Sequence, residues 1–179
     1  RVAGLDLQVL PHDGGYDVAA ILDNARKGTI EAIYLLGADE VDMSSLGEAF
    51  VVYQGHHGDA GAHRADVVLP GAAYTEKNGT YVNTEGRVQL GHRAMMPVGD
   101  AREDWTIIRA LADALGVGLR FSNLGEVRQR MVQVNPVFDH VGAIDPAPWA
   151  TFGTEGNLNT APFRTPIENF YMTDPISRA

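Results

Sequence analysis

The sequence has 179 residues, enough for one domain with its own core and an appended segment. With 45% hydrophobic and 21% charged residues it has a soluble, globular composition, and no apolar run approaches the roughly 18 residues that span a bilayer. The net charge of -9 argues against nucleic-acid backbones and anionic membrane surfaces, and the lack of cysteine removes disulfides, thiolate nucleophiles and cysteine-ligated iron–sulfur clusters from this segment.

Arg1 stands where a starting Met would, as in a chain that begins inside a longer product. No basic stretch followed by an apolar one marks a signal peptide. Val2 to Leu10 is mixed in character and runs into a loop, Pro11 to Gly15. Val18, Ile21, Leu22 and Ala25 then recur at helical spacing, with Asp17 as N-cap and Gly28 as stop. Ile30 to Leu36 reads as a strand closed by Gly37-Ala38-Asp39, and Asp42 to Ala49 as a short helix or turn. Phe50 to Tyr53 and Val67 to Leu69 are two further apolar runs, each ended by glycine or Pro-Gly. Three such strands, read as buried, suggest part of a doubly wound parallel sheet in an α/β domain.

A polar, glycine-punctuated crossover follows Pro70-Gly71, with an alternating piece at Gly79 to Asn83 and a turn at Thr84 to Arg87. Such a segment is the usual ligand-facing edge of an α/β domain. Trp105, Ile108, Leu111, Ala112 and Leu115 form one helical stripe that Gly116 ends, and Asn123 to Val134 is a second helix stopped by Asn135-Pro136. Beyond Pro136 periodicity is lost. Prolines at 136, 146, 148, 162, 166 and 175 alternate with Phe138, Trp149, Phe152, Phe163, Phe170 and Tyr171. That richness in aromatics is unlike a disordered tail, and it describes an extended arm packing on its own domain or on a neighbour. A short strand is expected near Thr165 to Met172. The division is thus 1–135 for the α/β part and 136–179 for the arm.

Two clusters could carry chemistry. His56, His57, Asp59 and His63 are the densest set of metal-ligand types, but adjacent histidines are expected to point apart, and a glycine-rich loop is no rigid ligand face. A loop whose imidazoles bond the backbone is the plainer alternative. Glu76 and Lys77 with Glu85 and Arg87, among the amides and hydroxyls of Asn78, Thr80 and Asn83, could form an acid/base or anion-binding set. The alternative is a crossover that satisfies its own polar atoms. Neither Gly14-Gly15 nor Gly37-Ala38-Asp39 has the order of a nucleotide loop.

The stretch ADVVLPGAAYTEKNGTYVNTEGRVQ, Ala65 to Gln89, resembles the signature of the molybdopterin oxidoreductase superfamily, a pattern of the type ADVVLP…EKxGTxxNxEGR. YLLGADE (Tyr34–Glu40), AREDWTIIRALADALG (Ala101–Gly116) and ENFYMTDPISRA (Glu168–Ala179) narrow the resemblance. With them the chain is similar to the branch formed by the large iron–sulfur subunits of proton-pumping NADH:quinone oxidoreductase, complex I. This resemblance implies a scaffold that retains the fold of a molybdopterin enzyme and holds no molybdenum. Glu76, Lys77, Asn83 and Arg87 would mark a relic pocket, with no catalytic residue and no cofactor in this segment. Iron–sulfur clusters would lie in the N-terminal part of the parent subunit. Partners would be other peripheral-arm subunits, on the cytoplasmic face of a bacterial inner membrane or the mitochondrial matrix side, without membrane insertion. The competing expectation is a piece of a catalytic molybdopterin enzyme such as a formate dehydrogenase.

Overall fold

The computed structural model of the chain describes residues 15–144, 155–157, 159–165, 167–172 and 175–178. The first mixed stretch, and Trp149 and Phe152 of the arm, lie outside these residues.

Helix α1, Val18–Arg26, starts where Asp17 accepts a hydrogen bond from the Ala20 amide at 2.8 Å, and Gly28 leaves it at φ 74°. Strand β1 (Ala32–Leu36), a 3-10 turn (Met43–Leu46) capped by Asp42, and strand β2 (Phe50–Gly55) follow. Helix α2 (Ala60–Arg64) leads into strand β3 (Val67–Pro70). The three strands are parallel and lie in sequence order, with Leu35 opposite Tyr53 and Tyr53 opposite Val68. The result is a mixed α/β architecture around a small parallel sheet.

Strand alternation then decides the core. Leu35, Val51 and Tyr53 share one face and join Leu46, with Leu22 of α1, Val41 and Met43 before and in the turn, and Ala62 of α2 packed around them. Tyr34, Leu36 and Phe50, whose side chains alternate to the opposite face, stay 36%, 53% and 50% exposed.

Strand β3 departs from the expected buried strand: Val67 and Val68 are both exposed. Among the described residues it is the edge strand of the sheet, with β2 on one side and the Arg102 backbone meeting just its end on the other, so an apolar run here does not mean enclosure. The polar crossover is also more ordered than its sequence suggests. Gly79–Val82 (β4) pairs antiparallel with Val88–Gly91 (β5), and Asn83 to Arg87 makes the turn. Asn83 builds that turn by accepting from the Glu85 and Arg87 amides at 3.1 and 3.0 Å.

Two reciprocal backbone bonds, Ala72 N–H to Arg102 and Arg102 N–H to Pro70, return the chain from the hairpin to the end of β3. There α3 begins, Asp104–Ala114. Helix α4, Leu124–Val134, is capped by Asn123, and a 3-10 turn starts at Pro136. No residue of α3 or α4 is fully buried, and Leu115 is largely exposed. Within the arm no strand occurs among the described residues of 165–172. Phe170–Met172 is a 3-10 turn, because the Asn169 side chain accepts from the Tyr171 amide and curls the backbone. Phe163 and Tyr171 lie in the open, and a last short helix, α5, covers Pro175–Arg178. Among the described residues no helix is long and apolar enough to cross a membrane.

Candidate functional site

The carboxyl ends of β1 and β2 gather most of the buried polar chemistry. Gln54, near the end of β2, is fully buried. Its carbonyl accepts from the Tyr34 hydroxyl, and its amide donates to Asp104 Oδ1 at 2.8 Å. Asp104 Oδ2 in turn holds the Lys77 ammonium. A hydroxyl, an amide, a carboxylate and an ammonium from four separate segments thus form one chain of hydrogen bonds. Asp104 is the first residue of α3, where a carboxylate also meets the positive end of the helix. Burial first, and then the Asp104 charge, push the Tyr34 phenol above its ordinary value.

Of these four residues the sequence pattern names Lys77 as a site candidate; it does not single out Gln54, Tyr34 or Asp104 for this network. Glu76 sits beside Lys77 and turns inward, accepting from the Ala73 amide at 3.0 Å. Asn83 and Arg87 lie apart from these, in the hairpin turn. Arg87 donates to the Gly142 carbonyl at 2.5 Å and lies 3.6 Å from Glu85. Among the described residues no hydrogen bond or ion pair joins Glu76 and Lys77 to Asn83 and Arg87. All four bond groups of this chain, in two separate places.

The histidine cluster also resolves into separate contacts. His56 and His57 do not point apart: their Nδ1 atoms are 2.6 Å apart and their rings meet edge to face. They occupy the turn that follows β2, where strand alternation no longer applies. Burial first, then His57 and Lys77, depress the His56 imidazolium below its ordinary value, against weaker opposing pulls from Asp104 and Glu76. Asp59 faces Arg178 at 2.5 Å, and His63 lies exposed on α2. Among the described residues no three His, Asp or Glu side chains are grouped as a metal would require.

A second charged cluster went unread in the sequence. Arg178 meets Asp59, Glu40 at 3.4 Å and Asp39 at 3.9 Å, across 119 to 139 positions of chain. Asp39 is buried, and its Oδ1 accepts from the Gly61 amide at the start of α2. The loop Gly55 to Asp59 therefore lies between two charge clusters, with Lys77 and Asp104 acting on His56 and with Arg178 bonded to Asp59.

Known proteins give this geometry its setting. The family model "Molybdopterin oxidoreductase" matches residues 1–114, and a model of the C-terminal region of the NADH-ubiquinone oxidoreductase G subunit matches residues 143–179. The G subunit of NADH-quinone oxidoreductase from Rickettsia bellii is 46% identical over 165 residues, which is 92% of this chain and 24% of that protein. The mitochondrial NADH dehydrogenase (ubiquinone) iron-sulfur protein 1 of Solanum tuberosum is 44% identical over all of this chain and 23% of its own length. The mitochondrial 78 kDa subunit of NADH-ubiquinone oxidoreductase from Candida albicans is 45% identical over all of this chain and 25% of its own. The chain spans about a quarter of the length of these relatives. Among solved structures, acetylene hydratase from Pelobacter acetylenicus superposes with a TM-score of 0.47 at 21% identity, over 55% of this chain and 16% of that one.

Proposed function

The chain belongs to the molybdopterin oxidoreductase family, and we propose that it is the C-terminal part of the large iron–sulfur subunit of a proton-pumping NADH:quinone oxidoreductase. The observation that carries this is the pairing of two family matches in one chain. A molybdopterin oxidoreductase match over 1–114 is followed, over 143–179, by a match to the C-terminal region of an NADH-ubiquinone oxidoreductase component. A formate dehydrogenase fragment would account for the first match and leave the second without a reason.

In this reading the segment performs no chemistry. Residues 1–135 are the end of a doubly wound domain of the family type, and 136–179 are an arm laid against other peripheral-arm subunits. The iron–sulfur clusters that pass electrons from NADH towards quinone belong to the rest of the parent subunit. The whole lies peripheral to the membrane, on the bacterial cytoplasmic or mitochondrial matrix side. The self-satisfied chain Tyr34–Gln54–Asp104–Lys77 supports a scaffold without a pterin, because those polar atoms bond one another. Elemental analysis of the purified full-length protein tests this: the scaffold contains neither molybdenum nor tungsten, and a stoichiometric amount of either would favour the catalytic alternative. Deleting 136–179 is expected to weaken assembly of the peripheral arm on blue-native gels, and normal assembly would count against the arm's role.

A further inference from the structure

The C-terminal helix α5 is too short to hold itself in place by its own hydrogen bonds, so what fixes it must come from side chains. Arg178 supplies the contacts. Its Nε donates to Asp59 Oδ2 at 2.5 Å, and its Nη1 reaches Glu40 at 3.4 Å. Its Nη2 lies 3.9 Å from Asp39 Oδ2, and each of these last two atoms is buried with no hydrogen bond of its own. The Asp39 carboxylate is almost wholly enclosed and bonds the α2 backbone through its other oxygen. A buried carboxylate with one bare oxygen needs a countercharge nearby, and Arg178 is the cation the structure provides. The guanidinium also holds the Asp59 carboxyl below its usual range.

We propose that Asp39, Glu40 and Asp59 form a receptor notch for the chain's own Arg178, which clasps α5 to the loops at the carboxyl ends of β1 and β2. The clasp spans the two matched regions, since its acids lie within residues 1–114 and its arginine within 143–179. It stands on the contacts alone and is independent of which oxidoreductase the chain serves. Arg178 also lies 3.5 Å from the Met172 carbonyl, so the clasp restrains the turn at Phe170–Met172.

That turn offers a readout. Chymotrypsin cleaves after aromatic residues, and substitution of Arg178 leaves its target bonds intact. In the full-length protein, Arg178→Ala and Asp59→Asn should each speed cleavage after Phe170 or Tyr171 about fivefold, the scale of a partly exposed ion pair. The double variant should be no faster than Arg178→Ala, because that substitution already removes the Asp59 contact along with those to Glu40 and Asp39. Arg178→Lys should stay nearer the wild type, since it keeps the charge. High salt should accelerate the wild type and leave the double variant unchanged. Unchanged cleavage in both single variants, or fully multiplicative effects in the double one, would overturn the clasp.

Discussion

Removing the amide of Gln54 is the sharpest perturbation of the strand-end network. Gln54→Leu keeps much of the volume of a fully buried side chain and deletes both of its hydrogen bonds. One of these goes to a carboxylate and one comes from a phenol. The Tyr34 ring is 36% exposed, so its hydroxyl can turn to water, and Asp104 keeps Lys77. The cost is therefore the loss of two bonds without a stranded charge, together about 2–4 kcal/mol. Gln54→Glu should cost more, because it places a second carboxylate 2.8 Å from Asp104 where an amide had donated. Hydrogen exchange by mass spectrometry on peptides across β2 reads this directly in the full-length protein. Opening that is easier by that amount lowers protection about 30- to 1,000-fold. Protection within threefold of wild type in Gln54→Leu would mean that the network does not hold the strand, and the reasoning from its hydrogen bonds would fail.

Three further outcomes follow from the same structure. Gly61→Ala places a methyl 2.8 Å from the Tyr53 ring and 2.9 Å from Asp39 Oδ1, and should lower stability by about 1–3 kcal/mol in thermal melts. Asp17→Ala removes the cap of α1 and should cost about 1 kcal/mol, read as faster exchange in the first turn of that helix. His56 has a depressed pKa in the folded chain, so its stabilising share is whole above the ordinary value of 6.5 and is lost as pH falls through the lowered folded value. His56→Gln should flatten the decline of the melting point between pH 7 and pH 5, and parallel curves for wild type and variant would exclude that origin.

What the sequence discloses depends on how far apart the partners lie. Asp17, Asp42 and Asn123 cap their own helices or turns within three residues, so these starts are legible from the chain alone. The three parallel strands are legible as apolar runs, but a run does not say whether a neighbour covers it, and Val67 and Val68 prove exposed at the sheet edge. Strand β5 escapes notice because it is four residues long, and Val88-Gln89-Leu90 gives a single alternation, too short to mark a strand. The candidate site divides in the same way. Lys77 and Glu76 stand out by type, whereas Gln54 becomes significant through Asp104, 50 positions later.

Arg178 shows why such contacts stay hidden. An arginine near a run of prolines and aromatics reads as surface charge, and the adjacent Asp39 and Glu40 and the distant Asp59 read as solvated loops. Coulomb attraction between them is set by distance in space, and no local periodicity encodes it. Yet the burial of Asp39 is a constraint that local reasoning could have raised. An acid followed by another acid, in the loop after a strand with one buried face, must either face water or find a cation. Arg26 is bonded to Ser45 and Arg64 to the Gly47 and Ala49 carbonyls, while Lys77 is held by Asp104. The cation that stands beside Asp39 among the described residues is Arg178, from the far end of the chain. The fold thus uses a distant charge to complete a strand-end loop, and the loop between Gly55 and Asp59 inherits its position from residues on both sides of it.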